Sequence, residues 1–241
     1  MKKIVCLAAL SVLLFAAGFM IAAPLNSQAQ ETDSSVPELV AFHDIIYPIW
    51  HTAYPEKNYA DLRSYVPEIK SLAEKIYAAE LPGILRDKET KWKRGVAELK
   101  KAVDDYAAAA SGTDDGALLQ AAEVLHARYE MLVRITRPIL KEMDDFHKVL
   151  YIVYHKDLPN KDYGKVKTSA PELLTKAEAV LKATLPRRLE PRKEQFAAAA
   201  AALHEAAKAL SLTVETQTGA PVEAAVENVH AKYQDLVKVF D

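Results

Sequence analysis

Apolar residues recur along most of the chain at intervals of three and four, the spacing of an α-helix with one buried stripe. Leu39, Phe42, Ile46, Ile49, Trp50 and Ala53 form one such stripe, which predicts a first helix, A, from about Glu38 to Ala53. The run Ser35-Val36-Pro37-Glu38 before it has the form of a capping box. Pro67 opens helix B, which ends near Leu81-Pro82, and helix C covers about Ile84 to Ala110. Ser111-Gly112-Thr113-Asp114 reads as a turn with Asp114 as N-cap. Helix D comes next, with Leu118, Ala122, Leu125, Tyr129 and Leu132 on one stripe. No run of alternating β-branched residues occurs, and Ala, Leu, Glu and Lys dominate, so the expected fold class is all-α.

The pattern then repeats. Sliding the chain by 104 residues lays Glu38–Arg137 over Glu142–Asp241 without a gap, with about a quarter of positions identical. Phe42-His43 meets Phe146-His147, Tyr47 meets Tyr151, and His51 meets His155. Pro67-Glu68 meets Pro171-Glu172, and Glu123, His126 and Tyr129 meet Glu227, His230 and Tyr233. The expected architecture is two tandem four-helix bundles, an internal duplication covering 30–137 and 138–241. Between Arg134 and Asp145 there is no glycine and one proline, Pro138, so the join is expected to be one long helix kinked there.

Residues 1–29 change the reading of the N-terminus. Lys2-Lys3, an apolar stretch from Ile4 to about Leu25, and small residues at Ser27 and Ala29 make a secretory signal peptide cleaved after Ala29. The expected destination is the periplasm or the exterior. An uncleaved segment would instead be a membrane anchor, since about 20 apolar residues span a bilayer. Cys6, the only cysteine, leaves with the signal, so the mature chain has no disulfide and no thiolate ligand. Lys2 and Lys3 leave as well; of 31 basic residues, 29 remain against 33 acidic, a net charge of −4. Such a surface does not attract nucleic acid or anionic lipid.

Candidate chemistry centres on the histidines. Six of the seven form repeat-related pairs: His43/His147, His51/His155 and His126/His230. Helix A carries His-x3-Tyr-x3-His (His43, Tyr47, His51), a row on one face. Helix D carries Glu-x2-His-x2-Tyr (Glu123, His126, Tyr129). His43 and His126 fall in apolar stripes, which points them inward. His43 and His51 lie about 12 Å apart along a straight helix, too far for one ion to bridge. In an antiparallel pairing of A and D, His126 comes level with Tyr47, with Glu123 nearer His51 and helix-B residues Glu68 and Glu74 opposite. One site per bundle is therefore expected, holding Zn, Ni, Cu(II) or Fe. Its ligands would be His43, His51, Glu123 and His126 in the first unit, and His147, His155, Glu227 and His230 in the second. Tyr47, Glu74, Tyr129, Tyr151, Glu178 and Tyr233 would support them.

Two alternatives share these residues. Axial ligation by one histidine from each of A and D would hold haem b, noncovalently because no Cys-x2-Cys-His occurs. Alternatively the histidines are hydrogen-bonded structural residues of an exported, non-enzymatic adaptor or chaperone. A di-iron carboxylate centre needs two Glu-x2-His motifs per bundle, and each unit has one. No phosphate loop, nucleophile elbow, His-Glu-x2-His or EF-hand loop is present, so no catalytic residue and no protein partner is assigned.

Overall fold

The computed structural model describes residues 31–240, which are helical with no strand. The expected signal peptide and its cleavage site lie outside the described residues. Among those residues, no helix is long and apolar enough to cross a membrane.

The first half comprises α1 (Pro37–Pro48), α2 (Tyr59–Ser64), α3 (Val66–Ala78), α4 (Glu89–Ser111) and α5 (Asp115–Thr136). The second comprises α6 (Lys141–Ile152), α7 (Tyr163–Lys182), α8 (Lys193–Thr216) and α9 (Ala220–Lys238). In the first half α1 packs on α3, α3 on α4, α4 on α5, and α5 returns to α1. In the second half α6 packs on α7, α7 on α8 and α8 on α9, and α9 meets the turn that extends α6. Each half has its own core. Phe42, Ile46, Ile69, Leu99, Leu125 and Leu132 fill one; Phe146, Leu150, Leu173, Leu203, Val226 and Leu236 fill the other. Each such side chain removed from water contributes about 1.5–3 kcal/mol, and with no disulfide these cores carry the stability.

Irregular features also recur 104 residues apart. A π-helical turn extends α1 over Ile49–Ala53 and α6 over Val153–Asp157. Each is closed by bonds spanning five residues: Tyr54 N–H to the Ile49 carbonyl (2.8 Å) and Leu158 N–H to that of Val153 (2.9 Å). Pro48 precedes the first turn, but Ile152 precedes the second, so proline is not the common cause. Lys57 and Lys161 both sit in the left-handed region, at φ 52° and 54°. Asn58 caps α2 and Asp162 caps α7, each accepting the N–H three residues on. A 3₁₀ segment lies at Gly83–Lys88 and again at Arg187–Arg192. Lys88 donates to the Ile135 carbonyl at the end of α5 (2.8 Å), and Arg192 donates to the Val239 carbonyl at the end of α9. Both cations meet carbonyls left over at the negative end of a helix. Lys88 and Arg192 thus close helix ends.

Two expectations about local structure are corrected. The capping box does not form. Val36 is the N-cap of α1 without a side-chain bond, and the Ser35 N–H is bound to the Asp33 carboxylate (2.9 Å). The halves are not joined by one kinked helix. Proline crowds the residue before it out of the helical region; accordingly Arg137 is extended (ψ 137°) and α5 stops at Thr136. Leu140 is extended too, so α6 restarts at Lys141 after four non-helical residues. Asp114 caps α5 as expected, accepting the Ala117 N–H at 3.0 Å.

Candidate functional site: a tyrosine–histidine seam in each half

Each histidine set lies along the seam between the first and last helices of its half. The inward orientation expected for His43 is overturned, because His43, Tyr47 and His51 are all exposed. The core stripe of α1 runs Leu39, Phe42, Ile45, Ile46 and Ile49. His43 stands one position beside Phe42, and that places it at the rim. His126 is half-buried for the same reason, since Ala122, Leu125 and Tyr129 take the core positions of α5.

What these side chains do is stack. Trp50 lies flat on His126, with centroids 4.0 Å apart at 6°, and its counterpart Tyr154 lies flat on His230 at 3.8 Å and 4°. Tyr47 and His51 are 4.6 Å apart; Tyr151 and His155 are 4.9 Å apart. His43 meets Tyr129 at 6.0 Å, and His147 stacks on Tyr233 at 4.5 Å. The Trp50/Tyr154 pair went unread in the sequence, although it appears there as two aromatics at the 104-residue offset.

The carboxylates do not join the histidines. Glu123, Glu227, Glu68, Glu74 and Glu178 are exposed, and Glu178 pairs with Lys182 (3.5 Å). Among the described residues no three His, Cys, Asp or Glu side chains converge as a metal-binding group. A cleft of about 450 Å³ bordered by Glu31, Glu38, Leu81 and Gly83 contains no histidine.

The halves differ in what covers the seam. Tyr47 is 54 % exposed and Tyr151 is 1 % exposed. The 3₁₀ segment of the first half crosses to α6 and lays Arg86 against the second seam. The guanidinium donates through Nη2 to Tyr151 Oη (2.6 Å) and lies over the ring, 5.0 Å from its centroid. Its Nη1 is 3.2 Å from His155 Nδ1. An arginine can only donate, so Nδ1 accepts and a neutral His155 carries its proton on Nε2. Nε of Arg86 donates to the Gly83 carbonyl (3.0 Å), which sets the fork. Gly83 itself is required, because a Cβ there would lie 2.1 Å from Tyr151 Oη. Tyr151 Oη in turn donates to Glu31 (3.0 Å), and Lys156 pairs with the same carboxylate (2.7 Å).

Burial lowers the proton affinity of all three histidines of the second set. Burial, reinforced by His230 and His155, pushes His147 down to about 3. Burial also lowers His155, with Arg86 adding to it, and lowers His230 against the opposing pull of Asp87. In the first half burial lowers His126, and Glu130 opposes it.

Compared with known proteins, the chain matches no family model, and it has no significant match among curated proteins or solved structures.

Proposed function

We propose that the chain is an exported, non-enzymatic helical binding protein made of two tandem copies of one four-helix bundle. Each copy presents a tyrosine–histidine face along the seam of its first and last helices. The duplication is supported by the recurrence, at one offset, of π turns, left-handed lysines, caps and carbonyl-closing cations. Export rests on the form of residues 1–29.

The observation that carries the binding reading is the contrast in cover. The second face is filled by Arg86 of the same chain and braces the two halves, whereas the first stands open with a tyrosine 54 % exposed. An open aromatic and histidine face supplies rigid contact area with polar tips, a composition suited to recognition.

Photocrosslinking in the producing cells tests this reading. A benzoylphenylalanine replacing Tyr47 is expected to give a discrete adduct with another protein. The same group replacing Leu212, which is 66 % exposed on α8, is expected to give none. Equal adducts at both positions, or none at 47, would contradict the binding reading.

A second reading, a divalent transition-metal ion between the helix-A and helix-D histidines, is favoured by one distance. The His155 and His230 centroids are 6.0 Å apart, edge to face. Imidazoles sharing one tetrahedral ion through bonds of about 2.1 Å hold their centroids roughly 5–6 Å apart. Their lowered proton affinity suits a ligand, which must be neutral. It ranks second because the Arg86 cation already occupies His155 Nδ1. On this reading the mature protein carries about two equivalents of one metal, one per repeat. His126→Ala with His230→Ala then removes most of it while the helical circular-dichroism signal persists. Unchanged metal content in that double variant would rule the site out, and a Soret band in the same sample would assign haem b instead.

A further inference from the structure

The second half shows what its seam accepts. A tyrosine hydroxyl, a histidine Nδ1 and a tyrosine ring together hold one guanidinium, delivered by a short turn whose glycine lets it approach. The first half repeats the receiving groups almost unchanged. Tyr47 and His51 keep the ring spacing of Tyr151 and His155, and Trp50 on His126 keeps the stack that backs them. The two faces also differ in charge beside the stacked histidine. Glu130 stands where the second half has Gln234, and it acts electrostatically on His126 within the first face.

We propose that the open Tyr47–His51 face is a receptor for an arginine side chain carried on an exposed turn of a partner protein. This rests on the binding reading and names the chemistry of its partner. The guanidinium would lie against the Tyr47 ring and donate to Tyr47 Oη and to His51, as Arg86 does on the matched pair. Lysine fits less well, since a single ammonium cannot reproduce the planar fork that reaches both acceptors. The second half's own 3₁₀ segment is a poor occupant. It has Arg187 at the position of Gly83, where a Cβ would collide with the tyrosine, and Glu190 at the position of Arg86. The corresponding segment of a second copy is therefore not the occupant.

The in-chain segment provides the probe. A fluorescent peptide of residues 80–90, which contains Gly83 and Arg86, is titrated into the full mature chain and followed by anisotropy. The same peptide with Arg86→Gln is titrated alongside. Expected is saturable binding at least tenfold tighter for the arginine peptide, abolished in a Tyr47→Ala, His51→Ala chain whose helical signal is intact. Equal affinity for the two peptides, or no binding by either, overturns the arginine proposal. Binding that survives the double variant also overturns it, because the peptide would then be displacing Arg86 from the second face. Sedimentation of the free chain supplies one further check: a monomer is expected, and self-association abolished by Tyr47→Ala would make the partner a second copy. The outcomes separate from those of the binding reading. A Tyr47-specific crosslink without arginine-dependent peptide binding keeps that reading and removes this one, and the absence of any Tyr47-specific crosslink removes both.

Discussion

Alanine at Tyr151 is expected to cost about 3–5 kcal/mol of folding stability, and alanine at Tyr47 about 0.5 kcal/mol or less. Both positions are tyrosines, 104 residues apart and each four residues before a histidine, so their surroundings separate them. Tyr151 is 1 % exposed and packs within the core cluster of the first half although it belongs to the second. Its removal opens a cavity, strips the hydroxyl partner from Arg86 and leaves Glu31 without that donor. Tyr47 is more than half exposed, and its ring touches His43 and His51 at the surface. Urea denaturation of the two variants measures the difference. A Tyr47→Ala loss equal to that of Tyr151→Ala would mean that the first face is buried against something within the chain itself.

Acid is expected to destabilise the protein through the second half's histidines. His147 falls from an ordinary 6.5 to about 3 on folding, so the unfolded chain binds the proton more tightly. A depressed histidine contributes stability that is fully present above about pH 6.5 and is lost as the pH falls toward 3. Within that window His147 alone costs up to about 1.4 kcal/mol per pH unit. His126, His155 and His230 are lowered as well and act in the same direction. By about pH 4 the His147 contribution alone comes to roughly 3 kcal/mol, a large fraction of a net stability of roughly 5–15 kcal/mol. Replacing His147 with glutamine keeps a comparable polar side chain with no charge to gain. The slope of unfolding free energy against pH between 6 and 4 is then expected to flatten by close to one proton. An unchanged slope in His147→Gln would show that burial at 147 does not govern the acid response.

The helical class was legible because the apolar period is 3.6 throughout and the helix-favouring residues leave little room for another reading. The internal similarity stands out because its matched residues are large or chemically distinctive. The register of the seam was harder to read. His43 and His126 sit within one position of true core residues, Phe42 and Leu125, and a helical wheel separates such neighbours poorly when i+3 and i+4 both count as inward. The π turns add a residue to a turn and shift the phase of the positions beyond it, and that displaced His51 and His155 from any wheel drawn through helix A. The join does not run as one kinked helix because Pro138 acts on Arg137, one residue earlier, and ends α5 there. Arg86 left no signal at all. It is unrepeated, it lies in a segment read as the start of helix C, and its contacts with Tyr151 and His155 span more than 60 residues of sequence.

One asymmetry, between an open tyrosine–histidine face in the first half and a covered one in the second, underlies both the binding reading and the stability contrast. Hydroxyl-radical footprinting of the purified protein reads it residue by residue. Tyr47 is predicted to be oxidised rapidly, at a rate near that of the unfolded chain, while Tyr151 is protected by at least tenfold. Comparable rates at the two tyrosines, or protection of Tyr47 in the isolated chain, would contradict the asymmetry, because the first face would then be no more open than the second.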